Sequence, residues 1–221
     1  MIKGVIFDYN STLFFDLDLH VEAWKRLYLS LGCAEEGFED FFKMACTVPN
    51  RVSVEWMGKE TGKTFTEEEI AKHSLQKEVY YHEEVLRNKR NELAPGAIDL
   101  IEYLLNNGYK INICTASIAY NVDFYFENTK LDRWFDRDKV AFDDGICANK
   151  TEMYQAAARN IGLLPEECLI FEDSIRSIKD ALNAGFDKFI YVNHYHKERP
   201  EIKEVLQEIE DFTQLDYSVF K

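Results

Sequence analysis

Three groups of polar residues stand directly behind apolar runs. Asp8, with Asn10, Ser11 and Thr12 after it, follows Val5-Ile6-Phe7; Thr115-Ala116-Ser117 follows Ile111-Asn112-Ile113-Cys114; Glu172-Asp173-Ser174 follows Leu169-Ile170-Phe171. A carboxylate at the end of a buried strand, followed by a tight polar turn, is able to attack phosphorus and form an aspartyl-phosphate, and Asp8 holds that position. Glu172 and Asp173 add two more carboxylates. Three such groups in one crevice repel one another and raise their own pKa values unless a cation joins them. Mg²⁺ answers that need, because it takes oxygen ligands and bridges to a substrate phosphate. Thr115 or Ser117 is able to donate to a phosphoryl oxygen, helped by the N-terminus of a following helix. Lys150 is able to neutralise charge shared between Asp8 and the phosphoryl group. Taken singly, each residue has a plainer reading: the acids as helix caps or turn formers, Thr115 as a cap, Lys150 as a solvated charge. Their joint order and spacing carries the argument.

The elements that must position these residues follow from the hydrophobic pattern. A strand ends at Asp8, and from about Asp16 to Leu93 the reading is helical. Val21, Trp24, Leu27, Tyr28 and Leu31 repeat at helical spacing before Gly32, and Thr66-Glu67-Glu68-Glu69 is a capping box that predicts a helix to about Arg90. Pro95-Gly96 marks a hinge-like break, and a further amphipathic helix stops at Gly108. Strand and helix then alternate: strand 110–114, helix 119–128, a short strand near Val140 to Phe142, helix 151–161, strand 168–171, helix 174–184, strand 188–192 and a last helix at 200–210. The pattern predicts an α/β fold, a doubly wound parallel sheet with right-handed crossovers, whose ligands bind outside the carboxyl ends of the strands. A helical insert after the first strand falls by position at that edge, as a lid. The expected division is a core of residues 1–14 and 94–221 and a helical cap of residues 15–93.

The 221 residues, 46% hydrophobic and 30% charged, are those of a soluble globular protein able to bury a full core. No apolar stretch approaches the ~20 residues that cross a bilayer, and the opening strand leaves no room for a signal peptide. The five cysteines have no CxxC spacing; Cys114 and Cys168 fall in or beside strand runs as core thiols, and a reducing, cytoplasmic setting is expected. A net charge of −14 argues against nucleic acid or an anionic membrane as partner. It also requires that a phosphate substrate be drawn in by local positive charge.

With these motifs in view, the chain resembles the haloacid dehalogenase superfamily, and within it the β-phosphoglucomutase-like branch of phosphatases and mutases. The resemblance rests on FDYNSTL (Phe7 to Leu13), Thr115-Ala116-Ser117, Lys150 and FEDSIRSIKDALNAGF (Phe171 to Phe186). Pro95-Gly96 and a helical cap with His20 and Ala23-Trp24-Lys25 extend it over nearly the whole chain. It implies a Rossmann-like core with a cap, and Mg²⁺-dependent hydrolysis of a small phosphorylated metabolite. Asp8 is then the nucleophile, and Asp8, Asp173 and the backbone carbonyl of Asn10 ligate Mg²⁺, with Glu172 ligating directly or through water. Thr115 and Lys150 hold the phosphoryl group, Ala116 and Ser117 line it, and Arg51 resembles the cap arginine that meets a second anionic group in mutases. Substrate choice falls to the cap, since the core motifs recognise only phosphate and metal.

The chain departs from the pattern at Asn10, where the family carries the Asp that protonates the leaving oxygen and later activates water or the acceptor. A carboxamide has no accessible pKa for that work, which typically contributes roughly 10²–10⁴ in rate. Ser11 and Ser177 replace habitual glycines, Ser11 at a place that matters if the turn needs positive φ. Three readings follow: a phosphatase with a relocated acid/base, with His20, Asp16 or Asp144 as candidates; a slow phosphatase that favours good leaving groups; or a non-catalytic relative that binds a phosphometabolite. A phosphosugar mutase ranks below hydrolysis, since it needs the missing acid most. A Schiff-base phosphonatase would need Lys25 or Lys43, which read as surface charges. The pair His194/His196 reads as a polar loop, the Tyr80-Tyr81-His82 cluster as helix packing with a solvated edge, and Phe14 and Phe15 as core residues near the cap hinge.

Overall fold

Val5–Phe7 and Leu169–Phe171 are short, uniformly apolar runs bounded by polar turn residues, the pattern of strands covered on both faces. The computed structural model of the protein, which describes residues 1–147, 149–198 and 201–221, buries all of them. Strand β1 (Gly4–Phe7) lies between two parallel neighbours, β2 (Lys110–Ile118) and β4 (Cys168–Glu172), with Phe7 opposite both Ile113 and Phe171. Strands β3 (Ala141–Asp143), β5 (Phe189–Val192) and β6 (Val205–Ile209) complete a parallel sheet of order β3-β2-β1-β4-β5-β6. The chain therefore reverses direction across the sheet between β1 and β4, which is where such sheets open a ligand crevice.

The chain forms two compact units, one of Met1–Phe15 with Glu92–Lys221, the other of Asp16–Asn91. The second unit is helical: α1 (Leu17–Ser30), α2 (Phe38–Ala45), α3 (Asn50–Glu60) and α4 (Glu67–Arg87). Trp24, Leu27 and Tyr28 of α1 pack with Phe41, Val54, Met57 and Ile70 in its core. The capping box opens α4: Glu69 N–H donates to Thr66 Oγ1 at 3.3 Å, and Thr66 N–H donates to Glu69 Oε2 at 2.8 Å. A cap of this kind contributes about 1 kcal/mol.

The first unit continues through α5 (Ala97–Asn106), α6 (Ala119–Thr129), α7 (Lys150–Asn160) and α8 (Ile175–Asn183). Ile6, Ile170, Tyr154, Ile178, Phe186 and Phe189 join strands and helices in one core. Gly96 sits just before α5 at φ 77°, where a Cβ would come within 2.7 Å of the Thr213 nitrogen. The Pro-Gly break is therefore a point of close backbone approach that only glycine permits. Cys114 and Cys168 are buried and all five cysteines are free thiols. Among the described residues, no helix is long and apolar enough to cross a membrane.

Two sequence expectations are corrected. The last helix expected at 200–210 is strand β6, and its first expected residue, 200, lies outside the described residues. Val205 and Ile209 are four apart, a spacing shared by one helix face and one strand face, so periodicity alone does not choose. The free edge of β5 does: Phe189 pairs with Val205 and Val192 with Ile209. Strand β2 also runs on to Ile118, past the expected end at Cys114, with a register shift between its pairings to β3 at Cys114 and Ile118. Thr115, Ala116 and Ser117 thus belong to the irregular end of a strand.

Candidate active site

The register of β1 and β4 sets Asp8 and Glu172 side by side. Phe7 faces Phe171 in the ladder, and the Asp8 N–H continues it by donating to the Phe171 carbonyl at 3.0 Å. Between the two carboxylates lies Lys150, the first residue of α7, whose Nζ is 2.8 Å from Asp8 Oδ1 and 3.0 Å from Glu172 Oε2. Its placement is local in origin: the Asn149 side chain caps α7 by accepting the Glu152 N–H at 3.1 Å, which starts the helix at the lysine. Asp173 completes the group. Asp8, Glu172 and Asp173 each offer an oxygen within 4.8 Å of the others.

Glu172 is the most fully engaged of the three. Its Oε1 accepts the N–H groups of Asp173 and Ser174 at 3.1 and 3.0 Å, and its Oε2 accepts from Lys150 and from the hydroxyl of Tyr154. Tyr154 lies one helical turn beyond Lys150, on the same face of α7, and sequence reasoning missed it although the i, i+4 spacing was there to read. Burial, then the Glu172 charge, raises the Tyr154 phenol well above its ordinary pKa, so it remains a donor.

The electrostatics are those of an acid-rich pocket. Burial first, then repulsion from Glu172, holds Asp8 well above the usual carboxylate range, with Lys150 pulling the other way. The same two causes push Asp173 up to about 6, against Lys197. Burial opposes the charge on Lys150, but Asp8 and Glu172 outweigh it and hold the ammonium well above its usual value. Three buried hard oxygen donors, two of them with raised pKa, fit a small divalent cation such as Mg²⁺. Its charge would favour the ionised forms.

The turn after Asp8 is closed by Ser11 N–H donating to Phe14 O at 2.7 Å and Phe14 N–H donating to Tyr9 O at 2.9 Å. Ser11 takes φ 61°, the left-handed region, so a non-glycine residue carries the backbone cost at the position where the resemblance leads one to expect glycine. Phe14 stacks on Tyr9, and Phe15 stacks on His194 with centroids 3.7 Å apart. His194 is thus an aromatic neighbour of the turn.

Asn10 is held in a three-membered ring of neutral hydrogen bonds. Ser117 Oγ donates to Asn10 Oδ1 at 2.9 Å, Asn10 Nδ2 donates to the Tyr125 hydroxyl at 3.0 Å, and that hydroxyl lies 2.9 Å from Ser117 Oγ. Each member can donate once and accept once around the ring, an arrangement that suits a carboxamide. Tyr125, from α6, stacks on Tyr9 at 4.0 Å, and no motif pointed to it. Thr115 is buried, and its Oγ1 accepts the Ser117 N–H at 3.2 Å; Ala116 is exposed; Ser177 is buried at the start of α8.

The helical unit holds the remaining candidates. His20 stacks on Tyr81 at 4.1 Å, its Nδ1 is 2.8 Å from Lys77 Nζ, and its Nε2 is 3.4 Å from Asp16 Oδ2. Asp16 is fully buried and also accepts from the Tyr81 hydroxyl at 2.6 Å. Arg51 is half exposed and bonds to Glu67 and Glu55. Lys25 and Lys43 are in surface ion pairs, Lys25 with Glu35 at 2.6 Å. In the first unit, Asp144 organises its own turn by accepting the Ile146 N–H at 2.8 Å.

Comparison with known proteins bears on the family and the fold. A family model described as haloacid dehalogenase-like hydrolase matches residues 2–185. A phosphorylated carbohydrates phosphatase of Thermotoga maritima is 23% identical over 195 residues, covering 87% of this chain and 86% of that protein. Among solved structures, a HAD hydrolase of family IA, variant 3, from Entamoeba histolytica superposes with TM-score 0.83 at 29% identity, covering 98% of this chain and 96% of that one. A β-phosphoglucomutase of Clostridium difficile superposes with TM-score 0.78 at 21% identity, covering 100% and 96%.

Proposed function

The chain belongs to the haloacid dehalogenase-like hydrolases, and from that premise we propose that it is a Mg²⁺-dependent phosphatase of a small phosphorylated metabolite, a phosphorylated carbohydrate by class, acting through an aspartyl-phosphate on Asp8. The observation that carries this reading is the Lys150 ammonium, 2.8 Å from Asp8 and 3.0 Å from Glu172 at the carboxyl edge of the sheet. It holds a buried carboxylate ready beside a fixed positive charge, in a protein whose net charge of −14 repels phosphate.

Asp8 and Asp173, with the carbonyl of Asn10, would hold Mg²⁺, and Glu172 would act through water, its own oxygens being engaged by four donors. Bound there, the ion supplies positive charge to the phosphoryl oxygens and to the two carboxylates. Asp8 attacks phosphorus as the bond to the leaving oxygen breaks, while Lys150 compensates charge on the transferring group. Water then attacks phosphorus, releases phosphate and restores the Asp8 carboxylate. The leaving oxygen needs a proton in the first step, and the Asn10 carboxamide has none to give at neutral pH. Turnover should therefore favour good leaving groups.

The ring that closes Asn10 onto Ser117 and Tyr125 favours a second reading, a relative that binds a phosphometabolite without turning it over. One assay separates the two: hydrolysis of acetyl, aryl and sugar phosphates with Mg²⁺, native chain against Asn10→Asp. The phosphatase reading expects native turnover of acetyl and aryl phosphates. It also expects Asn10→Asp to speed sugar-phosphate hydrolysis by roughly 10²-fold or more. No turnover by either chain leaves the binding reading, and fast native sugar-phosphate hydrolysis with no gain in Asn10→Asp means that another residue supplies the proton.

A further inference from the structure

Beyond the end of β5 the chain turns back and delivers a second ammonium to the carboxylate cluster. Lys197 Nζ lies 2.7 Å from Asp173 Oδ2. The loop is built to do this. The Asn193 side chain clamps the Lys197 peptide on both sides, its Oδ1 accepting the Lys197 N–H at 2.7 Å and its Nδ2 donating to the Lys197 carbonyl at 2.9 Å. Asn193 Nδ2 also donates to Glu208 Oε1 on β6 at 2.6 Å, which ties the clamp to the sheet. The two lysines of the cluster differ in one respect. The Lys150 side chain is 13% exposed and bridges two buried acids, whereas that of Lys197 is 45% exposed and has a path to solvent.

We propose that Lys197 is a displaceable counter-ion of the metal site, which neutralises Asp173 in the metal-free protein and competes with Mg²⁺ for that carboxylate. The proposal rests on the metal reading given above. A divalent ion on Asp173 would face the lysine charge at short range, and the half-exposed side chain escapes that repulsion by swinging into water while its peptide stays clamped. Lys197 then weakens Mg²⁺ binding and stabilises the metal-free protein, so that site occupancy responds to the concentration of the ion.

Titration calorimetry with Mg²⁺ alone tests this on the full chain, native against Lys197→Met and Lys197→Arg. Lys197→Met should bind Mg²⁺ about threefold or more tightly, as expected for loss of one partly exposed competing pair. Its metal-free form should melt lower than native, while the Mg²⁺-saturated forms melt together. Lys197→Arg, which keeps the charge, should stay near native affinity. Equal or weaker binding by Lys197→Met, or an equal gain in Lys197→Arg, overturns the proposal and leaves the metal reading standing. No binding by the native chain overturns the metal reading and this proposal together.

Discussion

The carboxyl edge of the sheet and the interior of the helical unit both bury charge, and they balance it differently. At the sheet edge three carboxylates, Asp8, Glu172 and Asp173, meet two ammoniums, Lys150 and Lys197, leaving acid in excess. In the helical unit the buried charges lie beside opposite or neutral partners. Lys77 Nζ is 3.2 Å from both Glu78 oxygens, Asn50 Nδ2 donates to Glu78 at 2.5 Å, and Arg26 and Arg87 reach Glu84. A cluster with surplus acid has a use for a cation and, through it, for a phosphate; a balanced one mainly fixes geometry. Buried charge alone therefore does not mark a reactive site, whereas unbalanced buried charge is a reason to look for one.

The sharpest break between the regions comes from deleting one acid in each. Asp8→Asn should reduce turnover by roughly 10⁴-fold or more, as loss of a covalent nucleophile does, without lowering the Tm of the metal-free protein. The charge it removes is one that burial and Glu172 already oppose. Measurable hydrolysis by that variant, free of contaminating phosphatase, removes Asp8 from the nucleophile's role. Glu78→Ala should do the reverse to stability. It leaves the Lys77 ammonium, whose side chain is only 5% exposed, with His20 but without its carboxylate, and the expected cost is on the order of 3 kcal/mol in urea unfolding. A cost near zero would mean that the helical unit tolerates unbalanced charge, and the contrast would fail.

The two regions also differ in how far they could be read from sequence. At the sheet edge each candidate carboxylate sits behind a run such as Leu169-Ile170-Phe171, and parallel pairing with β1 fixes Glu172 beside Asp8 once both runs are strands. Lys150 was legible from its place just before the expected helix 151–161 and from the resemblance, and the structure makes it the first residue of that helix. Tyr125 and Lys197 were not legible, since the helical spacing of Tyr125 from Val122 marks it only as a packing residue of α6 and Lys197 comes from a loop with no motif. Within the helical unit the Thr66 capping box and the apolar repeat of α1 were local and therefore readable. The pairing of Asn50 with Glu78 joins residues 28 apart on two helices, and nothing in the chain before folding announces it. β6 failed for the same reason: the residues between Val205 and Ile209 fit two periods, and only the partner strand decides.

The smallest expected effect, a pH dependence of stability, separates the regions by sign. In the metal-free protein Asp173 titrates at about 6 against 3.8 for an ordinary Asp. Between those values the folded state holds more protons than the unfolded, so stability falls as pH rises through the window, by about 3 kcal/mol at most over its whole width and about half of that between pH 5 and 7. Asp8, raised in the same direction, adds to this slope. His73 of the helical unit works oppositely. Burial, then Lys72, lowers its pKa below 6.5, so the unfolded state binds the proton first and stability is lost as pH falls. His73 is only partly buried, which keeps its contribution the smaller. Urea unfolding of the metal-free chain should therefore show greater stability at pH 5 than at pH 7, and Asp173→Asn should flatten that slope. Saturating Mg²⁺ should reverse it, because the ion binds the ionised carboxylates and gains on the proton as pH rises. Metal-free stability that is flat or rising from pH 5 to 7 would mean that the sheet-edge acids stay ionised over that range without a metal, and that the imbalance between the regions is not felt by the folded protein.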